Sequence, residues 1–192
     1  MEVKPVVLQG KHVCLEPMTE EHVPGLTAIG LDEGIWDHML YGEMLSENDI
    51  RSWVQDILSR RDLPFVVIHL TSGRVAGATR YLNIAPEHRG LEIGGTWYGL
   101  EFQRTAVNTE CKYLLLKHAF ETLGCIRVQF KTDQRNIRSQ RAIERLGAKL
   151  EGVLRNHMIM PDGKYRNSVF YSIKETEWPE IKLKLKEMLV SS

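Results

Sequence analysis

The sequence predicts an α+β domain in which helices flank a mixed, mostly antiparallel sheet. Several short segments with alternating apolar residues are joined by glycine-containing turns, a pattern typical of antiparallel hairpins. Strand-like and helix-like segments alternate only in the middle of the chain, so a doubly wound parallel sheet is not expected. No repeat or flexible linker divides the 192 residues, and we therefore assign residues 1–192 to a single domain.

The N-terminal part is predicted to form a strand followed by two helices. The segment HVCLEP places Val13 and Leu15 on one face of a strand. Thr19 is positioned to cap a helix through EEHVPGLTAIG. A second helix begins at Ser46 and Asp49, which resemble a capping box. Its apolar stripe follows at helical spacing and consists of Ile50, Trp53, Val54, Ile57 and Leu58.

An antiparallel meander is predicted next, with strands at LPFVVIHL, VAGATRYLNI and LEIGGTWYGL. The turn between the first two strands contains Gly73. Strict alternation in the third strand predicts two distinct faces. One face carries Leu91, Ile93 and Trp97. The other carries Glu92, Gly94, Thr96 and Tyr98.

The C-terminal half is predicted to contain three helices, a strand and a hairpin. A largely buried helix runs from about Thr109 to Leu123, and the strand IRVQFK follows it. The segment NIRSQRAIERLG is a helix capped by Asn136 or Ser139 and ended by Gly147. VLRNHMIM and NSVFYSI form a hairpin around the turn PDGK. A closing helix has Pro179 in its first turn.

Composition argues against several broad classes of function. The 25 basic and 25 acidic residues cancel, so a broad nucleic-acid or membrane-binding surface is not expected. Cys14, Cys111 and Cys125 lack zinc-type spacing, and the histidines show no ligand pattern, so no metal site is predicted. The N-terminal segment MEVKPVVLQG lacks the apolar core of a signal peptide, and a cytoplasmic location is expected.

The segment QRTAVNTE, residues 103–110, leads from a predicted strand into a predicted helix. The first N–H groups of a helix have no partner within it, and the helix dipole places partial positive charge there. Arg104 adds a full charge, and Thr105, Asn108 and Thr109 add polar donors. These residues alone leave two interpretations open, an anion site and an ordinary loop with an exposed arginine. The glycine motifs of Walker loops and dinucleotide folds are absent from the sequence.

Two longer blocks resemble the GNAT N-acetyltransferase superfamily, specifically the branch that contains the ribosomal-protein N-terminal acetyltransferases. TWYGLEFQRTAVNTECKYLLLKHAFE resembles the family's central strand, pyrophosphate loop and following helix. DQRNIRSQRAIERLGAKLEGVLR resembles the family's next strand-to-helix junction. The resemblance covers essentially the whole chain and implies a sheet whose middle strands splay apart. It also implies the transfer of an acetyl group from acetyl-CoA to a primary amine in a ternary complex.

The resemblance also implies which residues bind acetyl-CoA. The pyrophosphate would lie on the loop after the central strand, and the pantetheine beside that strand. Asn136 matches the family's asparagine that contacts the CoA arm, with Ser139 and Arg141 nearby. Arg104 and Ala106 stand where the family usually has glycine, so Arg104 is expected to replace close backbone approach with charge. The implied set is Trp97, Tyr98, Gln103, Arg104, Thr105, Ala106, Val107, Asn108, Thr109, Asn136, Ser139 and Arg141.

Acetyl transfer needs a deprotonated amine, a donor to the oxyanion and a proton for the departing thiolate. We predict Glu92 as the general base, acting directly or through water, because neighbouring glycines leave room for a substrate. An ordinary surface carboxylate is the alternative interpretation of Glu92. Ser139 matches the position where this branch places a group assisting the thiolate, and helix capping is its alternative role. The oxyanion donor is expected to be a main-chain N–H near Trp97 or Tyr98.

The missing loop glycines keep two other functions open, a non-catalytic acetyl-CoA-binding module and a site for another phosphorylated ligand. The expected acceptor is a protein N-terminus or a small-molecule amine. Trp36, Met39 and Tyr41 are candidates for its pocket, with plain packing as their alternative role. Dimers are common in this branch, so a homodimer is a further expectation, whereas no nucleic-acid or membrane partner is expected.

Overall fold

The computed structural model describes residues 1–190, which form one eight-stranded sheet with five α-helices. The strands are β1 (Leu8–Gln9), β2 (Val13–Pro17), β3 (Leu63–His69), β4 (Arg74–Ala85), β5 (Gly90–Tyr98), β6 (Arg127–Asp133), β7 (Lys149–Ile159) and β8 (Tyr165–Lys174). The helices are α1 (Val23–Gly30), α2 (Glu47–Leu58), α3 (Ala106–Lys117), α4 (Ile137–Leu146) and α5 (Trp178–Val190). None of the helices within residues 1–190 has both the length and the apolar character needed to cross a membrane.

The strand order is β1-β2-β3-β4-β5-β6-β8-β7, and every neighbouring pair is antiparallel except β5 with β6. Those two parallel strands pair only where Gly90–Glu92 meets Arg127–Gln129. Beyond that point β5 and β6 separate, and the sheet opens between them. The predicted fold, a mixed and mostly antiparallel sheet with splayed middle strands, is confirmed.

Local capping signals position the helices. In α2 the Ser46 hydroxyl accepts a hydrogen bond from the Asp49 N–H at 3.3 Å, which confirms Ser46 as the cap. The Asp49 carboxylate accepts hydrogen bonds from the Ser46 hydroxyl at 2.8 Å and from the Leu45 N–H at 3.0 Å, and not from the Ser46 N–H that a full capping box would use. The first four residues of the predicted apolar stripe are buried, but Leu58, the last residue of the helix, is 40% exposed. Helix α3 begins at Ala106, three residues earlier than predicted, because Thr105 caps it.

A β-bulge in β5 corrects the predicted faces of this strand. Arg80 of β4 pairs with Gly94 and Ala78 pairs with Trp97, so β5 contains one extra residue between these pairs. Gly95 lies in this step with φ +57°, a left-handed conformation that glycine adopts without steric cost. A bulge reverses the alternation that follows it. Trp97 therefore shares a face with Glu92 and Gly94, and not with Leu91 and Ile93 as predicted.

Thr96 and Tyr98 move to the opposite face for the same reason. The Thr96 hydroxyl lies 2.8 Å from that of Thr79 and accepts a hydrogen bond from Lys112 of α3. Tyr98 lies beside Cys111, also in α3. The prediction that Glu92 shares its face with Thr96 and Tyr98 is wrong, because strict alternation does not continue through the bulge.

The core occupies both faces of the sheet. On one face Trp97 packs against Trp36 and Trp53, with ring centroids 4.9 and 5.8 Å away. On the other face the Tyr81 hydroxyl donates a 2.6 Å hydrogen bond to the Leu115 carbonyl in α3. The buried Glu110 carboxylate also fixes α3, because it accepts hydrogen bonds from the backbone N–H groups of residues 11–13 at 2.6–2.9 Å. These hydrogen bonds attach the N-terminal half of α3 to the start of β2.

Candidate active site

A cavity of about 1070 Å³ opens where β5 and β6 separate. Eight of the side chains that line it are arginine or lysine and one is acidic, Asp62, although the whole chain has no net charge. One end, which we call the helix half, is formed by residues 103–109 and the α4 segment 136–146. The other end, the loop half, is formed by residues 34–41 with Asp62, Arg80 and Arg166. Such a cavity favours anionic ligands.

The helix half is built around the N-terminus of α3. Thr105 is extended and caps the helix, and its hydroxyl donates a 2.7 Å hydrogen bond to the Phe102 carbonyl. This cap turns the chain so that the loop and the first turn of α3 face the cavity, where Arg104, Ala106 and Asn108 line its wall. The unpaired N–H groups of a first helical turn are donors for an anion such as a phosphate.

Arg104 has φ +61°, in the left-handed region that favours glycine. A non-glycine residue in this conformation costs roughly 1–2 kcal/mol. The loop thus has a turn conformation that suits glycine, although an arginine occupies the position. The backbone at Arg104 therefore has the left-handed conformation that a glycine would adopt there. The arginine side chain also adds a positive charge beside the N-terminus of α3.

Gln103 and Arg145 form hydrogen bonds that link the α3 side of the helix half to α4. The Gln103 amide donates a 3.0 Å hydrogen bond to the Tyr98 carbonyl and accepts one of 2.9 Å from Arg138 in α4. Arg145 of α4 donates a 2.8 Å hydrogen bond to the Thr109 hydroxyl in α3. These bonds hold α3 and α4 side by side and place two further guanidinium groups at the cavity wall.

The other predicted cofactor residues divide into two groups. Asn136 and Ser139 both line the cavity, and the Asn136 side chain accepts a 3.0 Å hydrogen bond from the Ser139 N–H as the cap of α4. Within residues 1–190 the Ser139 hydroxyl makes no hydrogen bond, so it is available to a ligand. Arg141 is exposed and does not line the cavity. Val107 is buried behind the wall.

Glu92, the predicted base, is buried one layer behind the cavity wall. It is 2% exposed, and its carboxylate accepts hydrogen bonds from Asn83 at 2.9 Å and Gln129 at 2.7 Å. The Lys131 ammonium lies 3.6 Å away as an ion-pair partner. Asn83 and Lys131 both line the cavity, so these two side chains lie between the Glu92 carboxylate and the cavity. The alternative interpretation of Glu92 as a surface carboxylate is wrong, because the side chain is buried.

Lys112 lies at the junction of the two halves, under the central strand. It is 6% exposed and donates a 2.5 Å hydrogen bond to the Thr96 hydroxyl. Burial lowers the pKa of Lys112 to about 8, because an ammonium group loses its hydration there. The burial of Lys112 is not predicted from the sequence, because an isolated lysine in a helix is normally solvated.

The loop half contains three residues that the sequence did not single out, Asp62, Arg80 and Arg166. The Arg80 guanidinium lies 3.4 Å from Asp62 and 3.4 Å from the Tyr41 hydroxyl. Burial raises the pKa of Asp62, and this outweighs the opposite effect of Arg80. Tyr41 and Met39 line the cavity as proposed for an acceptor pocket, whereas Trp36 packs in the aromatic cluster behind it.

The arrangement suits a large anionic cosubstrate that enters at the helix half and a second substrate that enters at the loop half. Helix N–H donors and the guanidinium groups of Arg104, Arg138 and Arg145 are suited to several phosphate charges. The diverging strands between the halves leave main-chain groups of β5 free to bond with an extended arm. The two substrates would meet beside Gly94–Tyr98, where the strand is bulged.

Comparison with known proteins agrees with this geometry. Residues 12–149 match the family described as "Acetyltransferase (GNAT) domain". A crystal structure of a putative acetyltransferase from T. thermophilus is 38% identical in sequence, with a TM-score of 0.91 over 98% of this chain and 100% of that chain. A GCN5-related N-acetyltransferase from Brucella melitensis is 28% identical, with a TM-score of 0.93 over 97% of this chain and 86% of that one.

A curated relative matches part of the chain. The protein named "Putative ribosomal N-acetyltransferase YdaF", from Bacillus subtilis strain 168, is 30% identical over 109 residues. The match includes 57% of this chain and spans 58% of the length of that relative.

Proposed function

The chain belongs to the GNAT acetyltransferase family, and from that premise we propose that it transfers an acetyl group from acetyl-CoA to a primary amine. The observation that carries the proposal is the continuous cavity that joins the N-terminus of α3 to the loop half through the gap between β5 and β6. A phosphate-binding end and a separate acceptor end are what a direct transfer between two bound substrates requires.

The reaction proposed is direct attack in a ternary complex. The neutral amine nitrogen bonds to the thioester carbonyl carbon, and a main-chain N–H near Trp97 or Tyr98 stabilises the oxyanion. Collapse of this intermediate breaks the carbon–sulfur bond, and the thiolate of CoA takes a proton. The Ser139 hydroxyl lines the cavity and makes no hydrogen bond within residues 1–190. It is our candidate for assisting the thiolate by donating a hydrogen bond to it, while water supplies the proton.

Two carboxylates are candidates for accepting the proton of the amine. Glu92 is held away from the cavity and is not placed to contact the amine directly. We therefore propose that Glu92 accepts the proton of the amine through an intervening water. Asp62 is the alternative, because it lines the cavity and burial raises its pKa towards the range useful for a base. A low-pH limb of kcat/KM that disappears in Asp62→Asn but remains in Glu92→Gln would assign the role to Asp62.

A non-catalytic acetyl-CoA-binding module remains the second candidate, and the conformation of Arg104 is the observation that motivates it. Arg104 has a positive φ at a position where the family usually has glycine, so the loop departs from the family's pattern in the segment expected to bind the pyrophosphate. Purified protein should be incubated with acetyl-CoA and a panel of primary amines while free thiol is measured. Thiol release that depends on an amine supports the enzyme, and saturable acetyl-CoA binding without release from any amine supports the module.

We also propose that the protein acts in the cytoplasm as a homodimer. Cys14, Cys111 and Cys125 are unpaired, as expected in a reducing compartment. The edge strand β7 exposes Leu154 and Ile159, and apolar side chains on an open strand edge favour association. Light scattering that gives the mass of a monomer at all concentrations would eliminate the dimer.

A further inference from the structure

The loop half has more positive charge than an amine-binding site needs, and this bears on which amine enters it. The inference rests on the proposed function. An acceptor amine is itself positively charged until it loses its proton. Arg80 and Arg166 nevertheless line this end of the cavity, and Asp62 is the one carboxylate among the lining residues within the described chain. A polycation would be repelled here.

The guanidinium of Arg166 in β8 is only partly satisfied. It is 6% exposed, donates a 3.1 Å hydrogen bond to the Ser168 hydroxyl and makes a long 3.5 Å contact to the His38 carbonyl. A guanidinium has five N–H donors, so three are unused within residues 1–190. Within the same part of the chain no carboxylate lies at ion-pair distance from Arg166. Asp133 and Glu92 act on it only from farther away, and each has a closer partner, Arg135 and Lys131 respectively. Burying a charge without a partner is costly.

Arg80 of β4 is only partly satisfied as well. Its Nε is buried and forms no hydrogen bond within residues 1–190, although the Asp62 carboxylate lies 3.4 Å away. Its other nitrogens reach the Tyr41 hydroxyl at 3.4 Å, near the limit for a hydrogen bond. His38 Nδ1 is a further buried polar atom of the loop half without a partner in the described chain.

The two guanidinium groups converge on one short segment. Arg166 contacts His38 and Arg80 contacts Tyr41, and these two loop residues are three positions apart. The Cα atoms of residues three positions apart are at most roughly 11 Å from each other, so the two guanidinium groups flank the same short stretch of the cavity wall. Arginine forks bind carboxylates by two parallel hydrogen bonds.

We propose that the acceptor carries a carboxylate close to its reacting amine, and that Arg166, assisted by Arg80, binds this carboxylate in the loop half. The group is either the α-carboxylate of a free amino acid or the side chain of an acidic N-terminal residue of a peptide. Asp62 beside Arg80 faces the amine end of such an acceptor. Polyamines and other polycationic amines are poor substrates in this arrangement.

The test uses matched acceptors with the wild-type protein and acetyl-CoA. Alanine is compared with alaninamide, a tetrapeptide beginning with aspartate is compared with one beginning with asparagine, and spermidine represents the polycations. The carboxylate member of at least one pair should have a kcat/KM about 10- to 100-fold above its amide, the usual range for a charged hydrogen bond. The pair that discriminates identifies the source of the carboxylate. Equal rates within both pairs, or a preference for spermidine, would overturn the proposal.

Substitutions of Arg166 test whether this residue is responsible for the preference for a carboxylate acceptor over its amide. Arg166→Gln should raise KM for the carboxylate acceptor about 10- to 100-fold, leave KM for the amide unchanged and leave acetyl-CoA affinity unchanged. Arg155→Gln, an exposed arginine of β7 outside the cavity, is the matched control and should change nothing. Arg166→Lys keeps the charge but loses the fork, and serves if the glutamine variant does not fold. Equal losses for both acceptors would reject the role of Arg166.

A binding measurement separates failure of this inference from failure of the proposed function. If no amine releases thiol, the same pairs are titrated into the CoA-bound protein by calorimetry. Binding that is selective for the carboxylate members and absent in the Arg166 variants supports the acceptor site even without turnover. Binding with no such selectivity overturns it.

Discussion

The helix half and the loop half of the cavity are assembled in different ways. The helix half comes from two continuous segments, residues 103–109 and 136–146, and depends largely on backbone N–H groups at helix ends. The loop half comes from residues 34–41 together with Asp62, Arg80 and Arg166, which are distant from one another in sequence. Backbone donors tolerate changes of side chain, whereas a site made of scattered side chains depends on each of them. The cosubstrate end is therefore robust, and the acceptor end is specific.

Glu92→Gln tests how strongly the loop half depends on one buried charge. The change should destabilise the protein by about 3–5 kcal/mol, because Lys131 then loses its buried partner. Denaturant unfolding measures the change, with the exposed Glu43→Gln as the control. In the folded fraction kcat should fall more than acetyl-CoA affinity. Unchanged stability would mean that Lys131 needs no partner, and unchanged kcat would eliminate Glu92 from proton transfer.

Lys112→Met tests the junction between the two halves by comparing how the stability of the variant and of the wild-type protein depends on pH. Between about pH 8 and 10.5 folded Lys112 has lost its proton while the unfolded chain keeps it. The lowered pKa of Lys112 therefore makes the wild-type stability rise with pH across this window, by about 3 kcal/mol relative to the variant. Below pH 8 the difference between the two proteins should be constant. Parallel unfolding curves from pH 7 to 10.5 would show that Lys112 titrates normally.

Arg104→Ala tests the helix half alone. Loss of a charged hydrogen bond to phosphate should weaken acetyl-CoA binding by about 1.5–3 kcal/mol, measured by calorimetry. The acceptor KM should not change, since Arg104 lies at the other end of the cavity. An unchanged dissociation constant would mean that Arg104 faces solvent in the complex.

Arg104→Gly separates the backbone of the loop from its charge. Glycine removes the strain of a positive φ, so the free protein should gain about 1 kcal/mol of stability. Glycine and alanine lack the charge equally, but glycine retains the loop conformation, so the glycine variant should bind acetyl-CoA more tightly than the alanine variant. Identical affinities would show that the loop conformation contributes nothing to binding.

Features formed by residues that are close in sequence could be predicted, whereas features formed by residues from distant segments could not. The cap at Ser46 and the loop before α3 are local patterns. The cap lies where the sequence placed it, whereas the loop is three residues shorter than predicted because α3 begins at Ala106. The bulge at Gly95 was missed because a single residue with positive φ leaves no periodic signal, yet it reverses the faces of Thr96 and Trp97. The Arg141 side chain was predicted from position, but the helix turns Arg138 and Arg145 to the cavity instead.

The acceptor site was largely unpredictable for a physical reason. Arg80 and Arg166 line the same cavity only because the order of strands in the sheet brings β4 and β8 to one opening. In sequence each is an isolated arginine in an alternating strand, where a solvated position is the normal expectation. Glu92 was found because it lies in the central strand, but its burial depends on Asn83 and Gln129 of two neighbouring strands.

Steady-state kinetics with both substrates varied provides the most direct test of direct acetyl transfer within one cavity. Free thiol is measured while acetyl-CoA and the best amine of the panel are titrated against each other. Intersecting reciprocal plots are expected, with no thiol released from acetyl-CoA until the amine is added. Parallel plots with an acetylated form of the protein, or saturable acetyl-CoA binding with no thiol release from any amine, would contradict it.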